Sequence, residues 1–482
     1  MKIPVEFNSL APLPVGWSWQ PLQSLTANPK QDVVDGPFGS DLKASEYVSH
    51  GVPIARLQNI DRNNFVTKNI RFLTTEKAAD LARHEFRPDD ILITKLGDPL
   101  GKACIVPRSI GHGVIVADLV RVRPDERLVD RRYLTYAINS PSTVKQFELH
   151  TKGTTRPRVN LSVLRQLPIP VAPRHQQEEI VDAIERQFSR LDEAVANLQR
   201  VKANLKRYKA SVLQAAVEGR VVPTEAELAR REGRSYESGE RLLERILAAR
   251  RDQWVGRGKY KAPEAPRREW TFDLPEGWAW STLGHLAVSV KDGPHFSPKY
   301  AAEGIPFISG GNIRPEGIDF SATKFITPEL HAELSKRCRP LRGDLLYTKG
   351  GTTGIARVNT DTRDFNVWVH VAVLKLSQSI EPFFVQHALN SQHCYRQAQE
   401  YTHGVGNQDL GLTRMVWITI PLPPLSEQRR IVAEVDRRLS ILREVESEVD
   451  TNLKRANSLR QAALARAFTV QKESTRYEIP PS

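Results

Sequence analysis

A chain of 482 residues is too long for one ordinary hydrophobic core, so two or more domains are expected. With 40% hydrophobic and 26% charged residues and no run of about 18 apolar residues, the composition is that of a soluble globular protein and leaves out a membrane span. A net charge of +13 suits a polyanionic partner, but the excess is spread thinly: +6 over residues 1–173, +4 over 220–270 and zero over 271–424.

The first residues, MKIPVEFNSLAPLP, lack the apolar stretch of a signal peptide, and Cys104, Cys338 and Cys394 are scattered without metal-ligand or disulfide spacing. A cytoplasmic protein is the expectation. Leu13 opens the phrase LPVGWSWQPL, and Leu274 opens LPEGWAWSTL. The likeness continues in order along both halves. DGPFGSDLKASEY at Asp35 is answered by DGPHFSPKYAAEG at Asp292, and PDDILITKLGDPLG at Pro88 by LRGDLLYTKGGTTG at Leu341. YLTYAINS at Tyr133 is answered by FVQHALNS at Phe384, and LPIPVAPRHQQEEIV at Leu167 by ITIPLPPLSEQRRIV at Ile418. The offset drifts from 261 to 251 residues, as small loop insertions in a duplicated domain require.

Within each copy the first part carries short β-branched runs between Gly and Pro turns: GVPIARL, DILITK, GVIVADLVRVR and VWVHVAVLKL. Helical patterns such as TTEKAADLARH and TPELHAELSKR interrupt them. An α+β globule is predicted twice, over residues 1–173 and 271–424.

Each globule leads into a long helix, predicted over 174–219 and 425–470, or roughly 60 Å at 1.5 Å per residue. In the first, Ile184, Leu191, Leu198, Leu205 and Val212 recur every seven residues, joined by Phe188 and Val195. In the second, Val435, Leu442 and Val449 recur likewise, joined by Leu439 and Leu453. A seven-residue apolar seam calls for a partner helix, and the intervening globule returns the chain, so an antiparallel coiled coil is predicted. The alternative is two amphipathic helices, each packed on its own globule. The register is open by about one turn: NLKR at 204 and 452 matches at offset 248, the seams at 251. Residues 220–270 read as two helical segments and an exposed linker, and 471–482 as a tail.

The residues for catalysis are missing. There is no Asn/Asp-Pro-Pro-aromatic loop to hold an extruded adenine and no Gly-Lys-Ser/Thr phosphate loop. Asp89 and Asp90 precede Lys95 as in some Mg²⁺ nucleases, but Ile93 stands where a second carboxylate is needed, so they read as a turn. No metal site and no enzymatic activity are expected of this chain.

Two similar but non-identical globules suit a DNA target of two unlike half-sites with an unread gap. Thr94 and Lys95, and their counterparts Thr348 and Lys349, end a strand before a glycine turn and are candidate phosphate contacts, against the alternative of a solvated strand end. The GTTRPRVN loop offers Arg156 and Arg158 to guanine and Asn160 to adenine, while the equivalent GVGNQDLG loop offers Asn407 and Gln408. A loop without function is the alternative there.

The order globule–helix–globule–helix, the LPxGWxW openings and IPLPPLSEQRRIV before the last helix resemble the specificity subunit of Type I restriction–modification enzymes. The resemblance spans nearly the whole chain. It implies that 1–173 and 271–424 are target-recognition domains for double-stranded DNA. It also implies that Leu167–Gly219 and Ile418–Phe468 are spacers holding two modification subunits. S-adenosylmethionine would then bind the modification subunits, ATP and Mg²⁺ would be used by partner subunits, restriction subunits would join the complex, and this chain would carry no cofactor. The other class kept open is a coiled-coil DNA-binding scaffold or regulator without a modification partner.

Overall fold

The computed structural model describes residues 10–38, 41–97, 99–149, 157–255, 259–404 and 408–469. The chain divides into two compact units, Met1–Gln199 with Asp450–Ser482, and Arg200–Val449. The division cuts both long helices, Arg174–Val217 and Leu425–Ala467, so each unit holds one globule and half of each helix.

In the first unit an antiparallel four-stranded sheet runs in the order Val33–Asp35, Leu119–Val122, Ile91–Thr94, Ala103–Ile105. Beside it lies a second sheet in which Val52–Ala55 pairs parallel with Gly113–Ile115. The first strand, Ser18–Pro21, pairs antiparallel with the last, Pro168–Val171, and so returns the chain to the helix that follows. The second unit repeats this plan. Its four strands are Ala287–Asp292, Val371–Leu376, Leu345–Thr348 and Ala356–Val358, and Ile305–Ile308 pairs parallel with Asn366–Val367. Ala279–Thr282 closes on Thr419–Leu422. The β-branched runs expected as strands contain strands, and TTEKAADLARH and TPELHAELSKR contain helices Thr75–Asp80 and Pro328–Ser335.

The repeated phrases are held by repeated hydrogen bonds. Trp17 Nε1 donates to Gln176 Oε1 at 3.0 Å, and Trp278 Nε1 to Glu427 Oε1 at 3.0 Å, so each opening tryptophan locks onto the first turn of its long helix. Trp19 and Trp280 donate back to the carbonyls of Ala11 and Phe272, eight residues earlier in both cases. Gln177 accepts from the Asp130 N–H and donates to the Ala172 carbonyl; Gln428 accepts from the Glu381 N–H and donates to the Pro423 carbonyl. Both glutamines are fully buried, where an unmade bond would be costly. Asn139 and Asn390 pair with both backbone groups of Ala103 and Ala356, so each side-chain amide covers the free edge of its four-stranded sheet. Gln177 and Gln428 lie 251 residues apart, as do Asn139 and Asn390, so the equivalence of the two copies follows the seam offset and not that of the NLKR pair.

The predicted seam is buried or half-buried throughout. In the first unit Ile184, Phe188 and Leu191, near the start of the first helix, share a core with Leu464 and Phe468, at the end of the second. Arg460 pairs with Asp192 and lies over the Phe188 ring. Val195, Leu198 and Leu453 continue this face, half-buried. In the second unit the order is reversed: Leu205 and Val212, late in the first helix, share a core with Val435, Leu439 and Leu442, early in the second, and Val449 is buried beyond them. Early-with-late pairing in both units is the antiparallel arrangement. The first helix, which ends at Val217, is stopped by Gly219, whose φ of +69° is open to glycine at little cost; Arg220 N–H then reaches the Ala215 carbonyl at 2.9 Å and closes the last turn.

The segment 220–270 contains the two helices read from its sequence, followed by an exposed stretch. Glu225–Glu232 and Gly239–Asp252 are helices, and Leu242 and Ile246 of the latter enter the core of the second unit. Glu225 is buried against Arg234 and Arg430 at 2.6 Å each. Burial opposes its charge, but the two guanidiniums outweigh that and hold its carboxyl below the ordinary range. The exposed linker is confined to the residues after Asp252. The tail predicted over 471–482 lies outside the described residues.

Candidate nucleic-acid interface

In each unit the topology gathers three loops at one end of the four-stranded sheet. The first is the Asp-Gly-Pro loop leaving Val33–Asp35 or Ala287–Asp292. The second is the turn after Ile91–Thr94 or Leu345–Thr348. The third reaches the start of Leu161–Arg165 or Leu412–Met415.

The turn is built by the threonine. Thr94 Oγ1 accepts from the Lys102 N–H at 3.0 Å and its carbonyl from Gly101; Thr348 Oγ1 accepts from the Ile355 N–H at 2.9 Å and its carbonyl from Gly354. The next residue ties the other two loops. Lys95 Nζ lies 2.7 Å from Asp35 Oδ2, while its backbone carbonyl accepts from Val159 N–H and Gly97 N–H donates to the Pro157 carbonyl. Lys349 Nζ lies 3.6 Å from Asp292 and 2.9 Å from Asp409, and its carbonyl accepts from Leu410 N–H. Arg337 adds a 2.9 Å contact to the buried Asp292 carboxylate.

The expectation that Thr94, Lys95, Thr348 and Lys349 touch phosphate is therefore corrected. The four residues are buried, the hydroxyls close a hairpin, and each ammonium already faces a buried carboxylate; Asp35 would be left without its cation if Lys95 turned to a phosphate. Their recurrence is explained by folding. The sequence signal missed was the aspartate of the two Asp-Gly-Pro phrases, whose partners stand about 60 residues further on.

What these ties expose is the third loop. Arg158 and Gln408 are exposed beside the strand-end turn, one position out of step: Leu96 bridges to Arg158 and Gly350 to Asp409, while Pro157 and Gln408 each accept from the glycine of the turn. Asn160 is exposed too, but its Oδ1 accepts from Val163 N–H at 2.8 Å and Ser162 Oγ at 2.7 Å, capping Leu161–Arg165. An adenine contact would need that oxygen, so Asn160 is corrected to a helix cap. Arg156 and Asn407 lie outside the described residues. The first loop also exposes a residue that the repeat contained without revealing its exposure, Phe38 in one copy and Phe296 in the other.

Among the described residues no group of His, Cys, Asp or Glu could hold a metal ion, and no helix is long and apolar enough to cross a membrane. The buried cysteines are far from reactive: burial pushes the Cys338 thiol up to about 11 and the Cys394 thiol up to about 12.

Residues 275–451 match the family model described as the Type I restriction modification DNA specificity domain. The chain is 22% identical over 440 residues to the Type I restriction enzyme EcoBI specificity subunit of Escherichia coli, covering 89% of this chain and 82% of that one. It is 20% identical over 478 residues to the EcoKI specificity subunit of Escherichia coli strain K12, covering 95% and 90%. A chain from a solved type I R-M system superposes with a TM-score of 0.60 at 18% identity, over 95% of this chain and 99% of that one, and shares the fold.

Proposed function

We propose that this chain, which belongs to the specificity subunits of Type I restriction–modification enzymes, binds an asymmetric double-stranded target of two unlike half-sites and directs partner subunits to it. One observation carries the bipartite reading: each unit pins the same three loops with an Asp–Lys pair yet displays different side chains there, Arg158 in one and Gln408 in the other. An arginine is suited to the O6/N7 edge of guanine and a glutamine to adenine. A regulator made of identical chains would show two like surfaces instead.

On this reading the chain supplies recognition and no chemistry. Adenine methylation falls to two modification subunits carrying S-adenosylmethionine, and ATP-driven cleavage with Mg²⁺ to restriction subunits, in the cytoplasm. The paired long helices are the surface that the modification subunits hold.

Half-site specificity is tested by single substitutions in the complex purified from its native cell by a tag on this chain. Arg158→Ala is expected to relax base preference at one position of one half-site by about 1–3 kcal/mol and leave the other half-site unchanged. Gln408→Ala is expected to do the converse. Competition binding against duplexes altered in one half-site at a time measures both. Equal loss across both half-sites from either variant would refute the assignment of one half-site to each unit. Absence of a methyltransferase from the purified complex would refute the partner assignment.

A further inference from the structure

The loop that begins each Asp-Gly-Pro phrase is held unusually firmly for a surface loop. Asp35 and Asp292 are anchored by buried ion pairs. A Cβ on Gly36 would strike the Val116 backbone, and one on Gly293 the Val367 carbonyl, so in both units the loop leaves pressed against the neighbouring chain. Pro37 and Pro294 then fix the next φ. After three restraints in a row, each loop turns a phenylalanine outward: Phe38 is 60% exposed and Phe296, one residue later in its phrase, 56%.

An exposed phenylalanine taken singly calls for no explanation. Two within one position of each other in the same repeated phrase, each on a pinned loop beside the loop of the exposed Arg158 or Gln408, do. Packing inside the globule does not account for them: Lys95 Nζ stands 4.7 Å from the Phe38 ring centre, but among the described contacts Phe296 has no cation over its ring. The feature common to both copies is a rigid aromatic presented to solvent. Such a side chain loses little conformational entropy on binding and offers an apolar face, which phosphates do not want and bases do. Beside Phe296 a cleft of about 370 Å³, rimmed by His295 and Arg337, gives a neighbouring group room to enter.

We propose that Phe38 and Phe296 are the aromatic contacts through which the two recognition domains press on the bases of their respective half-sites, stacking on or wedging between them. The proposal rests on the DNA-recognition reading above. Phe38→Ala is expected to weaken binding to the target duplex by roughly tenfold while leaving non-specific duplex binding unchanged, and Phe296→Ala to do the same. Phe38→Tyr and Phe296→Tyr, which keep the ring, are expected to stay within about twofold of wild type. Because both rings are exposed, the alanine variants should melt with the wild-type protein, which separates a DNA contact from a packing role. Duplexes carrying 5-iodouracil in one half-site at a time should photocross-link to Phe38 from one side and Phe296 from the other.

The experiment uses the tagged complex from the native cell and a duplex bearing the motif methylated there. If both alanine variants hold the wild-type preference for that duplex, the aromatic contact is overturned while DNA recognition stands. If the wild-type complex itself prefers no duplex, the recognition reading falls and the contact with it.

Discussion

Trp278→Ala lowers the melting temperature of the unit Arg200–Val449 by about 10 °C, from a loss of about 4 kcal/mol. Trp278 is buried in the core that joins Val217 and Leu242 to Ile431 and Val435, so truncation opens a cavity where the globule meets both long helices. It also strips a donor from Glu427, which keeps the Glu225 N–H at 2.8 Å. Burial already pushes the Glu427 carboxyl above its ordinary range, and losing the indole N–H raises it further. A carboxyl raised in the folded state costs stability above that pKa, and the cost fades as pH falls and the folded carboxyl takes up its proton. The Trp278→Ala deficit is therefore larger at pH 8 than at pH 5. Trp17→Ala serves as the control, because its partner Gln176 does not titrate. Its deficit should not change with pH on that account. Thermal melts at the two pH values decide this, and equal deficits for Trp278→Ala would remove Glu427 from the explanation.

Lys95→Ala costs about 3 kcal/mol, because it leaves the Asp35 carboxylate buried without its cation. Both side chains are at most 14% exposed, so water compensates little. Replacing the pair together, as Asp35→Asn with Lys95→Met, should recover most of the loss, since the expense lies in the unpaired charge and not in the absence of the pair. A phosphate-binding lysine behaves differently: Lys95→Ala would then keep its melting temperature, weaken binding to all DNA alike and reduce the salt slope by about one. Melting curves and a salt titration on the same variant separate the two roles.

The parts of this molecule that sequence revealed are those with a period. The two seven-residue seams announce the long helices and their pairing, and the ordered repeat announces two globules of one plan. The β-branched runs in DILITK and VWVHVAVLKL mark strands by composition, between their Gly and Pro turns. The helix Arg131–Asn139 enters the sequence reading only as part of a repeated phrase and Pro141–Leu149 not at all, although Asp130, whose carboxylate accepts from the Arg132 and Tyr133 N–H groups, is a readable cap for the first. What local pattern could not show is pairing at a distance. Asp35 finds Lys95 and Asn139 finds the edge strand at Ala103 only once the sheet has formed. The candidate contacts suffered most from this. A lysine at a strand end looks the same in sequence whether it faces solvent or a buried aspartate, and an exposed asparagine looks free until its helix is seen to begin there. Arg158 and Gln408 stay exposed because they sit on the outer face of a loop whose inner face supplies the ties.

The central claim is that this chain chooses a bipartite DNA target for a methyltransferase, and single-molecule sequencing of modified bases in the native genome tests it most directly. With the gene intact, the account predicts N6-methyladenine at one motif of two unlike half-sites separated by unread bases, and loss of that methylation when the gene is deleted. A genome whose adenine methylation is unchanged by the deletion, while the modification subunit is expressed and active, would contradict it.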